Sequence, residues 1–138
     1  MRRYYCALVV LIMSHTASFG QSSTEVFQYV EQMPEPTYNI LEYLNTHIEY
    51  PEEARTKHIQ GRVLVKFIVT ENGTMDSVHT ISSPLGGGLE EEAIRVVKYM
   101  PPWKPGRQNG KPINVYFTQP ISFQLDNSAI RPTNAAGH

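Results

Sequence analysis

At 138 residues the chain has room for one domain, and a composition of 41% apolar, 18% charged and 10% aromatic residues is that of a globular protein, too hydrophobic for a wholly disordered one. Twelve Lys and Arg against thirteen Asp and Glu leave a net charge of −1, which argues against the basic surface that neutralising several phosphates requires, so no nucleic-acid partner is expected. A single Cys excludes an internal disulfide framework.

Residues 1–20 have the three-part layout of a secretory signal peptide: basic Arg2 and Arg3, an apolar run over 4–13, and a small or polar stretch ending at Gly20. A run of ten is short of the roughly 20 residues needed to span a bilayer. Cleavage after Gly20 is expected, giving an exported chain that has lost Cys6 and carries 10 basic and 13 acidic residues. The alternative is an uncleaved leader that anchors the chain in the inner membrane. Residues 21–37 read as a lead-in, 38–125 as the folded domain, and 126–138 as a disordered tail with one large apolar residue, Ile130.

Within the domain and its lead-in, residues 26–31 read as a short additional strand. Residues 39–48 place Ile40, Leu41, Leu44 and Ile48 on one helical face. A second helix begins at Tyr50-Pro51-Glu52-Glu53, with Pro at the first helical position, two carboxylates at the positive helix end, and Gly61 beyond its last turn. Residues 62–70 are rich in Val, Ile and Phe and lead into Asn72-Gly73, a hairpin signal expected to form a type I′ turn with positive φ at both central residues. In the returning strand Met75 and Val78 differ in parity, which predicts a bulge between them. Leu89, Ala93, Val96, Val97 and Met100 recur at helical spacing until Pro101-Pro102 stops the helix. A second Asn-Gly, at 109–110, turns the chain into the most regular element. Over residues 113–125, Ile113, Val115, Phe117, Ile121, Phe123 and Leu125 hold the odd positions, and polar residues hold most of the even ones. Thirteen residues make a strand of roughly 44 Å, longer than its neighbours are expected to cover.

No catalytic constellation emerges from the sequence. His15, His47, His58, His79 and His138 lack the close pairing with Cys, Asp or Glu that metal sites use, so neither metal nor other cofactor is expected. Glu90, Glu91 and Glu92 read as a solvated helix start, Gly86-Gly87-Gly88 as a flexible connection, and Trp103 as an apolar plug between helix and sheet rather than a ligand platform. Ser82-Ser83 lacks the setting of a nucleophile elbow. The chain is therefore not expected to be an enzyme or to take a small-molecule substrate.

The long last strand is what remains. Pro120 inside it fits an edge better than a central position, and an exposed edge is either blunted against aggregation or used to receive another strand. In the second case, Pro in place of Thr118 or Gln119 removes a further backbone donor and is expected to weaken binding while the fold survives.

In their order, Tyr50-Pro51-Glu52-Glu53-Ala54, Ile59-Gln60-Gly61-Arg62-Val63, Asn72-Gly73, Trp103-Lys104-Pro105-Gly106, Asn109-Gly110-Lys111-Pro112 and Gln119-Pro120-Ile121-Ser122-Phe123 resemble the TonB C-terminal domain family. The lead-in Val30-Glu31-Gln32-Met33-Pro34-Glu35 resembles Bacteroidetes-type members. The resemblance implies an α+β fold, two helices on one face of a three-stranded antiparallel sheet, to which the strand and helix read before Tyr50 would be additions. It also implies that the last strand receives the TonB box, an extended segment of outer-membrane transporters. Carried over by position, the partner-binding residues are Tyr50, Pro51, Tyr116, Phe117, Thr118, Gln119, Pro120, Ser122 and Gln124. The expected partner is a TonB-dependent transporter or another envelope protein met in the periplasm, with self-pairing into a homodimer as a competing use of the same edge. The membrane helix and long Pro-rich spacer of a TonB energy transducer are not recognisable, so a stand-alone binding domain is expected. Pro36-Thr37-Tyr38-Asn39 stands where Phe-Pro-Gly-Gly is common in the family.

Overall fold

The computed structural model describes residues 25–125; the expected leader and tail lie outside the described residues. Elements run β1 (Val26–Phe27), α1 (Ile40–His47), α2 (Glu52–Thr56), β2 (Gly61–Val69), β3 (Met75–Thr80), α3 (Leu89–Lys98), β4 (Gly106–Gln108) and β5 (Lys111–Phe123). The sheet order is β1-β5-β2-β3, with β4 paired to the start of β5. The antiparallel trio β3-β2-β5 is the expected sheet, enlarged by β1, which lies parallel to β5, and by the β4 hairpin.

Strand alternation builds one core. Val63, Val65, Phe67 and Val69 from β2 and Val115, Ile121 and Phe123 from β5 are buried at odd positions, and the first four, with Ile121 and Phe123, join Tyr43, Leu44, Ala54, Leu89, Ala93, Val96 and Val97 from the helices in a single cluster. The odd face of the sheet is thus packed by all three helices, and the even face by none of them. Helix α1 starts where Asn39 Oδ1 accepts the N–H groups of Leu41 and Glu42. Pro51 caps α2 rather than opening it, one residue from expectation.

Several local expectations are corrected by packing. Asn72-Gly73 is not a type I′ turn: only Gly73 has positive φ, and Gly73 N–H donates to Thr70 O (2.8 Å) while Thr70 N–H donates to Thr74 O (2.9 Å). That is a three-residue loop with glycine at the left-handed position. Glycine is required there twice over, because a Cβ on Gly73 would stand 1.9 Å from Trp103 O. Asn109 and Gly110 both have positive φ and form the two-residue type I′ turn, closing β4 onto β5. The last strand consequently starts at Lys111 and ends at Phe123, two residues earlier than read, at the expected length. The bulge is present: register slips between Lys66↔His79 and Ile68↔Asp76 and Ser77 takes φ +50°, which lets both Met75 and Val78 reach the core.

The triple glycine is a fixed turn rather than a flexible connection. All three glycines have positive φ, and Glu90 accepts the N–H groups of Leu85 and Gly86. Glu92 is likewise engaged, with Glu49 N–H (2.8 Å) and Arg95 (2.7 and 2.9 Å), and Arg95 Nη2 reaches His47 O at 2.9 Å. Two of the three carboxylates therefore fasten α3 to its neighbours, and only Glu91 is free in solvent as expected.

Burial pushes the phenols of Tyr38, Tyr43 and Tyr50 above their ordinary value. Tyr43 Oη donates to Val96 O (3.0 Å) and Tyr50 Oη to Ile59 O, so the neutral form is the one the fold holds. A raised acid contributes stability that is complete below the unfolded pKa near 10 and lost as pH climbs through the folded value. The urea midpoint is expected to fall as pH rises above 10, and Tyr43→Phe to flatten that fall; a midpoint independent of pH from 9 to 12 would refute the linkage.

Candidate functional edge

Main-chain direction along β5 follows from β2. Leu64 N–H donates to Ser82 Oγ (3.0 Å) and Leu64 O accepts Ile81 N–H (2.9 Å), so both backbone groups of Leu64 face the β3 side. Leu64 pairs with Pro120, which makes this a non-hydrogen-bonded pair, and alternation turns the backbone groups of Tyr116, Thr118, Pro120 and Ser122 away from β2. Those of Phe117, Gln119, Ile121 and Phe123 face β2. Pro120 thus places its donorless nitrogen where no β2 carbonyl needs it, the physical reason a proline is tolerated in a strand paired on one side.

The flank opposite β2 is occupied at one end. Val26 and Phe27 pair with Asn114 and Val115. Among the described residues, no strand pairs with residues 116–123 on that flank.

Seven of the nine expected partner-binding residues line this edge or its exit. Thr118 is exposed, while Tyr116 and Pro120 are half-buried on the helix-free face, where Lys66 Nζ stands 4.5 Å from the Tyr116 ring centroid. Ser122 is buried on the same face at 8% exposure. Phe117 points to the helix face and lies edge-on to Trp103, with centroids 4.9 Å apart. Gln119 turns its amide onto Pro120 O (3.0 Å). Gln124 follows the strand and, with Gln60, Gly61, Arg62 and Leu125, borders an open groove. The remaining two residues stand elsewhere: Tyr50 is 5% exposed with its ring edge-on to Phe123, and Pro51 caps α2.

Parity also separates two positions the sequence treated alike. Thr118 N–H points to the open flank, whereas Gln119 N–H points to Val65, so proline at 119 would break the sheet itself. Three contributors escaped the sequence reading: β1 as the cap on Asn114 and Val115, Lys66 over Tyr116, and Gln60, whose Oε1 accepts Leu125 N–H at 2.8 Å and fixes the strand's exit. Only β1 left a sequence signal, in the apolar pair Val26-Phe27. Among the described residues no group of three or more His, Cys, Asp or Glu is placed to hold a metal ion. No helix of the described residues is long and apolar enough to cross a membrane.

Residues 46–125 match the family model of the Gram-negative bacterial TonB protein C-terminal. Protein TonB of Escherichia coli (strain K12) is 38% identical over 72 residues, which are 50% of this chain and 29% of that protein. The chain therefore spans less than a third of that relative's length. Among solved structures, the Helicobacter pylori TonB-CTD is similar at 23% identity and a TM-score of 0.49, covering 64% of this chain and 92% of that one. A longer piece of the same domain gives 20% identity and a TM-score of 0.48, covering 64% and 79%. Through the match over residues 46–125, more than half its length, the chain belongs to the TonB C-terminal domain family.

Proposed function

We propose that this chain is a non-enzymatic protein-binding domain of the periplasm that adds an extended peptide as a strand to the open flank of β5. The peptide is a TonB-box-like segment of an outer-membrane TonB-dependent transporter or of another envelope protein. The single observation that carries the reading is the flank at residues 116–123, which has no partner strand among the described residues while β2 holds the other side over nine residues. Membership of the TonB C-terminal family supports the class of partner. In this mode main-chain hydrogen bonds supply affinity and alternate side chains supply selectivity. Thr118 offers a donor and an acceptor and Tyr116 an acceptor, and the Tyr116 ring and Lys66 lie beside the path of the incoming side chains.

Titration of the isotope-labelled chain with a TonB-box peptide is expected to shift the amides of Tyr116 and Thr118 first and those of β3 least. Absence of any shift at millimolar peptide would overturn the reading. Shifts confined to the even face of β3 would move the site off the edge.

A further inference from the structure

The open flank is not uniform, and its unevenness sets which strand it can take; this inference rests on the strand-addition reading above. Four residues turn their backbone toward the flank. Thr118 and Ser122 each present one N–H and one C=O, and Tyr116 presents its C=O, its N–H lying in the parallel pairing with Phe27; Pro120 has no N–H, and its carbonyl oxygen already accepts Gln119 Nε2 at 3.0 Å. At the other end, the flank stops where Val26 and Phe27 pair with Asn114 and Val115. Between these two blocks lie only Tyr116 and Thr118, about 7 Å apart along the strand.

We propose that Gln119 and Pro120 form a built-in stop that limits the captured strand to three main-chain hydrogen bonds, one at the Tyr116 carbonyl and two at Thr118. The partner residue that faces Pro120 finds no donor, and an acceptor on which Gln119 Nε2 already holds one of the two lone pairs. Its own N–H therefore competes with Gln119 for that oxygen and contributes little, and proline is accepted there at small loss, whereas proline facing Tyr116 or Thr118 forfeits a full bond. The partner is a short extended segment in which a residue without a usable N–H can follow the paired stretch. The Gln119 side chain is the determinant because it lies on the oxygen that an incoming amide would otherwise use. Edge protection alone is the competing role for the same pair: a stop that merely discourages aggregation would change self-association and leave peptide affinity as it was.

The test is a backbone N-methyl scan of a ten-residue synthetic TonB-box peptide, titrated by calorimetry against the full chain as wild type, Gln119→Ala, and Gln119→Ala combined with Pro120→Thr. In the wild type, two peptide positions spaced by two residues are expected to lose about three- to tenfold in affinity on N-methylation, and the next position in the same alternation less than twofold. Gln119→Ala frees the Pro120 oxygen without touching the backbone and is expected to tighten the unmodified peptide about two- to threefold. The double variant restores the donor, tightens it about threefold or more, and makes the third position sensitive to N-methylation. Equal sensitivity at all three positions in the wild type, or unchanged affinity in both variants, overturns the stop while leaving strand addition intact. Binding with no N-methyl sensitivity anywhere overturns strand addition as well, and so does absence of binding by every form. Binding by the double variant alone supports the stop in its strongest form.

Discussion

Replacing Trp103 with Ala is expected to lower the unfolding free energy by roughly 3–5 kcal/mol, the range for deleting a large buried aromatic. Trp103 is 3% exposed and lies edge-on to Phe67 (5.7 Å, 89°) and Phe117 (4.9 Å, 75°), an arrangement that adds attraction beyond the area buried. Its indole N–H donates to Tyr38 Oη (2.9 Å) and its backbone N–H to Gly73 O (2.8 Å), so it joins the lead to α1, the β2–β3 loop and β5. Truncation would leave a cavity beneath Phe117, and with it a less firmly backed stretch of β5. Because Trp103 is the chain's one Trp, the variant has no indole fluorescence, and urea unfolding is best followed by far-UV circular dichroism. Trp103→Phe should recover more than half of the loss. A loss below about 1 kcal/mol for Ala would contradict the role of Trp103 as the plug between helix and sheet.

The second large effect is a contrast between neighbours. Gln119→Pro is expected to destabilise the fold by roughly 2–4 kcal/mol, because it deletes the N–H that faces Val65 in the interior β2–β5 ladder and leaves a buried carbonyl without its donor. Thr118→Pro deletes an N–H that faces solvent on the open flank, so its cost to stability should stay below about 1 kcal/mol. Peptide affinity behaves in the opposite sense: Thr118→Pro is expected to lose about tenfold, one main-chain bond together with the bulk of a ring in the path of the incoming strand. Parallel melting and calorimetric titrations of the two variants check both halves. A Thr118→Pro chain that melts early, or one that binds the TonB-box peptide as well as the wild type, would show that the donor at 118 does not face the partner.

Legibility followed the range of the interaction. The period-two alternation of β5, the Pro101-Pro102 stop and the bulge between Met75 and Val78 each arise from residues close together in sequence, and each could be read there. The two Asn-Gly pairs show the boundary. Both are permissive for a type I′ turn, yet only Asn109-Gly110 adopts one, because Gly73 is held instead by its contact with Trp103, thirty positions away in the chain. Glu92 looked like a solvated charge for the same reason, since nothing local announces that the amide of Glu49 will come to it; Glu90, by contrast, takes the amides of Leu85 and Gly86 only four and five positions back.

By itself the sequence determined the α+β class, the family, the long last strand and the residues that lie along it, because hydrophobic period and turn chemistry are local and survive without knowledge of partners. Tertiary structure decided which backbone groups of that strand are free. Whether an N–H at 118 or at 119 faces outward depends on the register against β2, a pairing between segments some 55 residues apart, and a slip of one residue would exchange the two. It also decided that Tyr50 belongs to the core and that Val26 and Phe27 close one end of the flank. Those outcomes arise from long-range packing, where burial is shared among elements distant in sequence and no single segment contains the information.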